Sequence, residues 1–191
     1  NKNVRSRLMG IPTLITTNTI TSGVAASAFT SSIDSTYDEY MFVFTDIHPE
    51  TEGVFQVKFS TDGGSSYGLT KTTTFFLAHQ REDGADAVLE YRTDSDLAQA
   101  TTAQRIGYNV NNNNDSSMSG ILHLFSPSST TYVKHFYSDA QMAGGLGGGT
   151  NYSIRSFAAG YINTTTAVNT VAFEMSADNI DSGVIQMFGI S

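Results

Sequence analysis

Four histidines, His48, His79, His123 and His135, are the side chains of this 191-residue chain best suited to acid-base work near neutral pH. To act, an imidazole needs a carboxylate to orient it or a nucleophile within hydrogen-bond reach. Each of the four falls in or beside a strand-like run, without a carboxylate at motif spacing, and no nucleophile elbow, HExxH or paired-acid motif accompanies them. A hairpin turning on residues 126–130 and centred on Ser129 would set His123 opposite His135, which reads as a cross-strand surface pair before it reads as a metal or pH-switch site. Asp83, Asp86, Asp94 and Asp96 offer oxygen ligands for a calcium ion but lack the EF-hand order and its bidentate Glu, so solvated acidic loops are expected. The run Gly144-Gly145-Leu146-Gly147-Gly148-Gly149 has the glycines of a phosphate cradle without the Lys-Ser/Thr or a following helix, and reads as a flexible loop. Tyr67, Tyr152 and Tyr161 could stack on sugars, although aromatics in strands are core more often than ligand platforms. No catalytic residue, metal ligand or cofactor is expected.

The elements that hold these residues are strands. Val, Ile, Thr, Tyr and Phe fill short apolar runs separated by clusters of Gly, Asn, Asp and Ser. Strands are expected at 39–47, 54–60, 75–77, 88–92, 104–110, 119–125, 132–137, 154–162, 168–175 and 183–190. The first of these is apolar on both alternating faces, as for a strand in the middle of a sandwich. In the second, Phe55, Val57 and Phe59 alternate with Gln56, Lys58 and Ser60, so one face is wet. Asp62-Gly63-Gly64 supplies the positive φ of a tight reversal. Residues 94–105 make no continuous apolar stripe and read as loop, as do the polar stretches 109–119 and 141–151. The fold class that follows is all-β, a two-sheet antiparallel β-sandwich of the jelly-roll kind. Phe42, Phe44, Phe55, Val57, Phe59, Phe173 and Ile185 should fill its core. The echo between Ser119-Gly120-Ile121-Leu122-His123-Leu124-Phe125 and Ser182-Gly183-Val184-Ile185-Gln186-Met187-Phe188 suggests a similar strand in each half of the sandwich.

Composition narrows the role. With no cysteine, neither a disulfide framework nor a thiolate metal site exists. No apolar run reaches the length of a membrane span, and the first residues lack the apolar core of a signal peptide, so membrane insertion is not expected. A formal net charge of −8 argues against nucleic acid as a partner, because neutralising phosphates takes clustered Lys and Arg. Only 15% of residues are charged, leaving Ser, Thr, Asn and Gly to make weakly charged surfaces suited to close packing. Lys2, Arg5 and Arg7 place three of the ten basic residues in the first seven positions, with no acid before Asp34. Residues 1–17 therefore read as an extended basic arm that orders on assembly, and 18–191 as the sandwich. In the arm, Lys2, Arg5 and Arg7 would meet acidic groups of a neighbour, with Leu8, Ile11, Leu14 and Ile15 as apolar anchors; the Ile11-Pro12 step disfavours helix there.

Two further segments carry a likeness: Tyr37 to Ile47 followed by Val57-Lys58-Phe59-Ser60-Thr61-Asp62-Gly63-Gly64-Ser65-Ser66-Tyr67, and the closing Ile180 to Ile190, together with Ser119 to Pro127. They resemble virion structural proteins of tailed bacteriophages, especially marine ones, of the fibre or decoration type. That resemblance covers roughly residues 18–191 and implies a β-sandwich on the exterior of the particle, partnered by other capsid or tail proteins and commonly a homotrimer. The expectation is a non-enzymatic capsid decoration or fibre subunit anchored by its N-terminal arm. The alternative is a receptor-binding tail-fibre tip recognising host surface glycan. A glycan depolymerase is set aside: it needs two carboxylates on rigid elements about 5–9.5 Å apart, whereas Glu50, Glu52, Glu82 and Asp83 fall in expected loops.

Overall fold

The computed structural model describes residues 10–145 and 151–191. Twelve strands and no helix occur among them: β1 Thr13–Ile20, β2 Ser27–Phe29, β3 Glu39–Pro49, β4 Phe55–Ser60, β5 Lys71–Arg81, β6 Ala87–Tyr91, β7 Gln104–Arg105, β8 Met118–Phe125, β9 Lys134–Gly145, β10 Asn151–Ile162, β11 Thr170–Met175 and β12 Ile180–Ile190. They form two antiparallel sheets, ordered β1-β12-β3-β8-β9-β10-β5-β6 and β2-β11-β4-β7.

Eight of the twelve follow from one long nested hairpin. β1 pairs with β12, β2 with β11, β3 with β8 and β4 with β7. Wrapping that hairpin on itself brings β12 beside β3 and β11 beside β4. The product is the jelly-roll order, two four-stranded sheets whose inner faces meet. Two insertions then widen one sheet only: β5–β6, between β4 and β7, and the β9–β10 hairpin, between β8 and β11, continue the larger sheet beyond β8.

The core lies where the two four-stranded halves face each other. Phe42 and Phe44 descend from β3, Phe55 and Phe173 rise from β4 and β11, and the Phe173 ring sits 5.3, 5.0 and 5.8 Å from the other three. All seven residues expected in the core are buried, none more than 1% exposed. The turn after β4 is closed by Asp62, whose carboxylate accepts from the Ser60 hydroxyl (2.6 Å), the Ser66 amide (2.9 Å) and the Ser66 hydroxyl (2.7 Å). Those donors, the Ser60 hydroxyl foremost, hold its carboxyl at about 2, below the ordinary 3.8. Gly63 and Gly64 take positive φ behind it, at 74° and 90°.

Several expectations need correction. The arm expected over residues 1–17 is a strand from Thr13 onward, hydrogen-bonded to β12, so the boundary at 17 falls inside the sheet. A β-branched, uncharged segment completes the outermost pair of the nested hairpin. Ile15 packs against the core, while Ile11 and Leu14 are exposed. Lys2, Arg5, Arg7 and Leu8 lie outside the described residues. The loop expected at 141–151 is strand at both ends, with Gly144 and Gly145 paired to Tyr152 and Asn151. Gly144 serves close approach there, since a Cβ would lie 2.9 Å from the Asn109 carbonyl oxygen and against the Ile154 side chain. Leu146 to Thr150 lie outside the described residues. Only Gln104–Arg105 of the strand expected at 104–110 pairs with β4, because the chain then crosses between sheets, and Val110 bridges both Gly53 and Gly144. Finally, the two echoed segments are not in opposite halves. β8 and β12 are the two neighbours of β3, so the same motif flanks one strand on both sides.

Candidate functional site

Among the described residues none of the four histidines is poised beside a nucleophile; two have acquired a carboxylate from a distant part of the chain, and His79 has one seven residues on. His79 Nε2 lies 3.1 Å from Asp86, His123 pairs with Glu39, and His48 Nδ1 is 3.6 Å from Asp181 with its Nε2 3.2 Å from the Asn113 carbonyl. His123 and His135 do not face each other: the register runs two residues further, so His123 stands opposite Tyr137 and His135 opposite Tyr161. Among the described residues no three of His, Cys, Asp and Glu gather as a metal-binding group. The acidic loop residues are separately engaged, Asp83 with Arg81 (3.1 Å), Asp94 with Arg92 (3.0 Å) and Asp96 with the Tyr91 hydroxyl (2.6 Å). The Arg92 guanidinium holds the Asp94 carboxyl below its ordinary value. Glu50 accepts from Asn179 at 2.8 Å. Of the three tyrosines weighed as platforms, Tyr152 is core, Tyr67 lies under the Lys58 ammonium at 5.0 Å, and Tyr161 is on the outer face of the large sheet.

That outer face is the unusual surface of the molecule. Side chains alternate across a strand, so the residues not aimed at the core point away from it, and in a sheet with one wet face they should be polar. Here they form apolar rows that run across strands. Leu14, Phe188, Met41, His123 and Tyr137 stand side by side on β1, β12, β3, β8 and β9. Two residues further along, Val43, Ile121, Phe157, Phe76 and Tyr91 make a second row, interrupted only by Asp139. Phe76, Tyr137, Tyr91 and Leu14 are between 40% and 51% exposed, large fractions for side chains flanked by neighbours.

Within the rows the rings are already mated. Phe76 stacks on Phe157 at 4.9 Å, and the Arg155 guanidinium covers Phe157 at 4.8 Å. His123 stacks on Tyr137 at 4.7 Å, with Phe125 5.9 Å from Tyr137. The charged groups on the face have partners in place: Arg155 holds Asp139 through two hydrogen bonds of 2.9 and 2.6 Å, and Glu39 is engaged by His123. At one margin Thr72, Thr74, Phe125, His135, Tyr137 and Tyr161 bound a groove of about 480 Å³. A second cleft, polar and lined by Asp46, His48, Asp115 and Asp181, lies where β3 and β12 both depart from regular pairing. There Gly183 has φ 134°, and a Cβ would sit 2.8 Å from the Asp46 carbonyl oxygen, so glycine is required.

The apolar rows were not read as a site from the sequence. Their signal was present in the 39–47 run, whose two apolar faces suggest a strand covered on both sides. One face of β3 meets the core; the other, with Met41 and Val43, is this surface.

No family model matches this chain, and no curated protein matches it. Among solved structures, one of infectious bursal disease virus, Gx strain, is similar at 12% identity and a TM-score of 0.15, over 96% of this chain and 40% of that one. The chain thus spans well under half of that protein's chain, and likeness at this level carries no argument about fold or role.

Proposed function

We propose that this chain is a non-enzymatic structural protein of a virion exterior, a capsid decoration or fibre subunit of a tailed bacteriophage, whose role is to make contacts through surfaces. The observation that carries the reading is the apolar outer face of the large sheet, since contiguous exposed apolar area marks an interaction surface. The particle context rests on the sequence resemblance, whose motifs have structural work to do: Ser60 and Asp62 close a turn and Gly183 permits the approach of β12 to β3. Anchoring falls to the residues before Thr13, because those after it belong to the sheet.

Two truncations test this. Removing residues 1–12 should leave melting unchanged and abolish incorporation into particles, whereas removing 1–20 should also lower the melting temperature by exposing the β12 edge. Equal incorporation of the shorter truncation would remove the anchoring role. The groove beside Tyr161 favours a second reading, a fibre tip that binds host surface glycan, and loss of host adsorption in Tyr161→Ala with incorporation intact would select it.

A further inference from the structure

We infer that the outer face of the eight-stranded sheet docks on the same face of a second copy of this chain, giving, in place of the homotrimer that the resemblance implies, a two-fold dimer in which two large sheets stack. This deepens the structural reading and rests on it for the particle context, but the face itself is argued from geometry, area and charge.

Eight strands carry seven inter-strand spacings of about 4.8 Å, so the face is about 34 Å wide. The two apolar rows, with Phe125 and Tyr161 beside them, occupy roughly 20 Å along the strands at about 3.3 Å per residue. The product is about 700 Å² of sheet face, close to the roughly 800 Å² that each partner contributes to a stable interface of standard size, and the twelve residues of the two rows with Phe125 and Tyr161, at about 32 Å² each, fill somewhat over half of it. A sheet face is matched in shape by another sheet, at about 10 Å, with outward side chains interdigitating.

Charge selects a copy over an unrelated partner. The whole chain carries −8, and two acidic bodies repel wherever their charged surfaces meet. Over these rows Asp139 is joined to the Arg155 guanidinium of the same chain, and Glu39, at the margin of the rows, is held by His123, so two copies can meet over the middle of the face without juxtaposing unpaired like charges. An isologous contact also satisfies both partners with one patch, as a two-fold axis requires. The mating of the rings argues against a flat sugar as occupant. Phe157 is sandwiched between Phe76 and Arg155, and His123 covers Tyr137, so the central rows offer edges and aliphatic groups for packing where a sugar would need free aromatic faces.

The purified full-length chain should sediment at the mass of two chains across a hundredfold dilution, and Phe76→Lys combined with Tyr137→Lys should reduce it to one. Both side chains point outward, so the variant should melt as the parent does. Because the chain has no cysteine, cross-linking gives a second readout independent of that variant's folding. Oxidised Ile121→Cys, in the middle of the face, should link two chains, and Gln56→Cys, on the outer face of the small sheet, should not. A wild-type chain that runs as a monomer throughout, an assembly that survives the lysine variant, equal cross-linking at both cysteines, or a monomer that binds dextran through the Tyr161 groove would each overturn the inference. Particle incorporation is scored separately by the truncations, so dimerisation can fail while the structural role stands, and the reverse.

Discussion

The jelly-roll half and the inserted half of this sandwich solve the same burial problem with different materials. In the first, two sheets face each other and the space between them is filled by rings, with Phe173 in contact with Phe29, Phe42, Phe44 and Phe55. In the second, β9 meets the small sheet at Phe136, whose ring lies 5.1 Å from Phe59, while the chain between β7 and β8 lies across the inner face further out, contributing Ile106, Tyr108 and Val110. A strand satisfies its backbone groups by pairing; an irregular segment buried at the same depth must find other partners. Buried polar side chains accordingly concentrate in the second half. Thr73 donates to Gln104 Oε1 at 2.6 Å and accepts from the Leu97 amide at 2.9 Å; Ser156 donates to the Ile106 carbonyl at 2.8 Å. Lys71 and Lys134, fully buried on either side of Ile162, cap the loop carbonyls of Leu69 and Thr101, and of Tyr132 and Thr164. The difference teaches that a sheet widened without its partner sheet is held by hydrogen bonds as much as by packing.

The largest expected effect tests the apolar half. Phe173→Ala removes the ring shared by both sheets and should cost about 3–5 kcal/mol of unfolding free energy in a urea titration. A change below about 1 kcal/mol would mean that the cavity collapses and that the ring cluster is not the organising core.

Next comes a pH test of the inserted half. Burial pushes the Lys71 ammonium down to about 8 from 10.5. Below pH 8 the lysine is protonated in both folded and unfolded chains, and the folded state bears the cost of burying a charge. Between pH 8 and 10.5 the unfolded chain binds more protons than the folded one, so this group's contribution must raise stability as pH increases. Relative to Lys71→Met, the wild type should gain roughly 2–3 kcal/mol across that window. A constant difference between the two proteins would place Lys71 in contact with water.

The smallest effect separates the halves. Thr73→Val preserves shape but leaves the Leu97 amide without its acceptor and Gln104 Oε1 without its donor, at a cost of about 1–2 kcal/mol. Hydrogen exchange should accelerate over residues 95–105 and stay unchanged in β3, β4 and β11. Uniform acceleration would show the two halves opening together.

How much of this was legible depended on whether the information was local. Alternation in 54–60 identified β4 and its inner face, since Phe55, Val57 and Phe59 repeat at the strand period, and the ring cluster followed from the same pattern in 39–47. Gly144 misled, because a glycine required by close approach to the Asn109 carbonyl is written like one in a mobile loop. The His123–His135 pairing failed on a two-residue register shift, which turn composition alone does not determine. The boundary of the arm at residue 17 failed because residues 13–20 find their partner some 170 positions later, in β12.

By itself, then, the sequence determined the strand type, most of the inner-facing residues and the acidic, cysteine-free character of the chain, because periodicity and composition act over a few residues. Only the tertiary structure decided that β1 closes the sheet, that two insertions widen it, and that Leu14, Phe188, Met41, His123 and Tyr137 become one surface. Those residues lie on five strands drawn from both ends and the middle of the chain, and cross-strand adjacency is a property of register, which the wrapped hairpin sets.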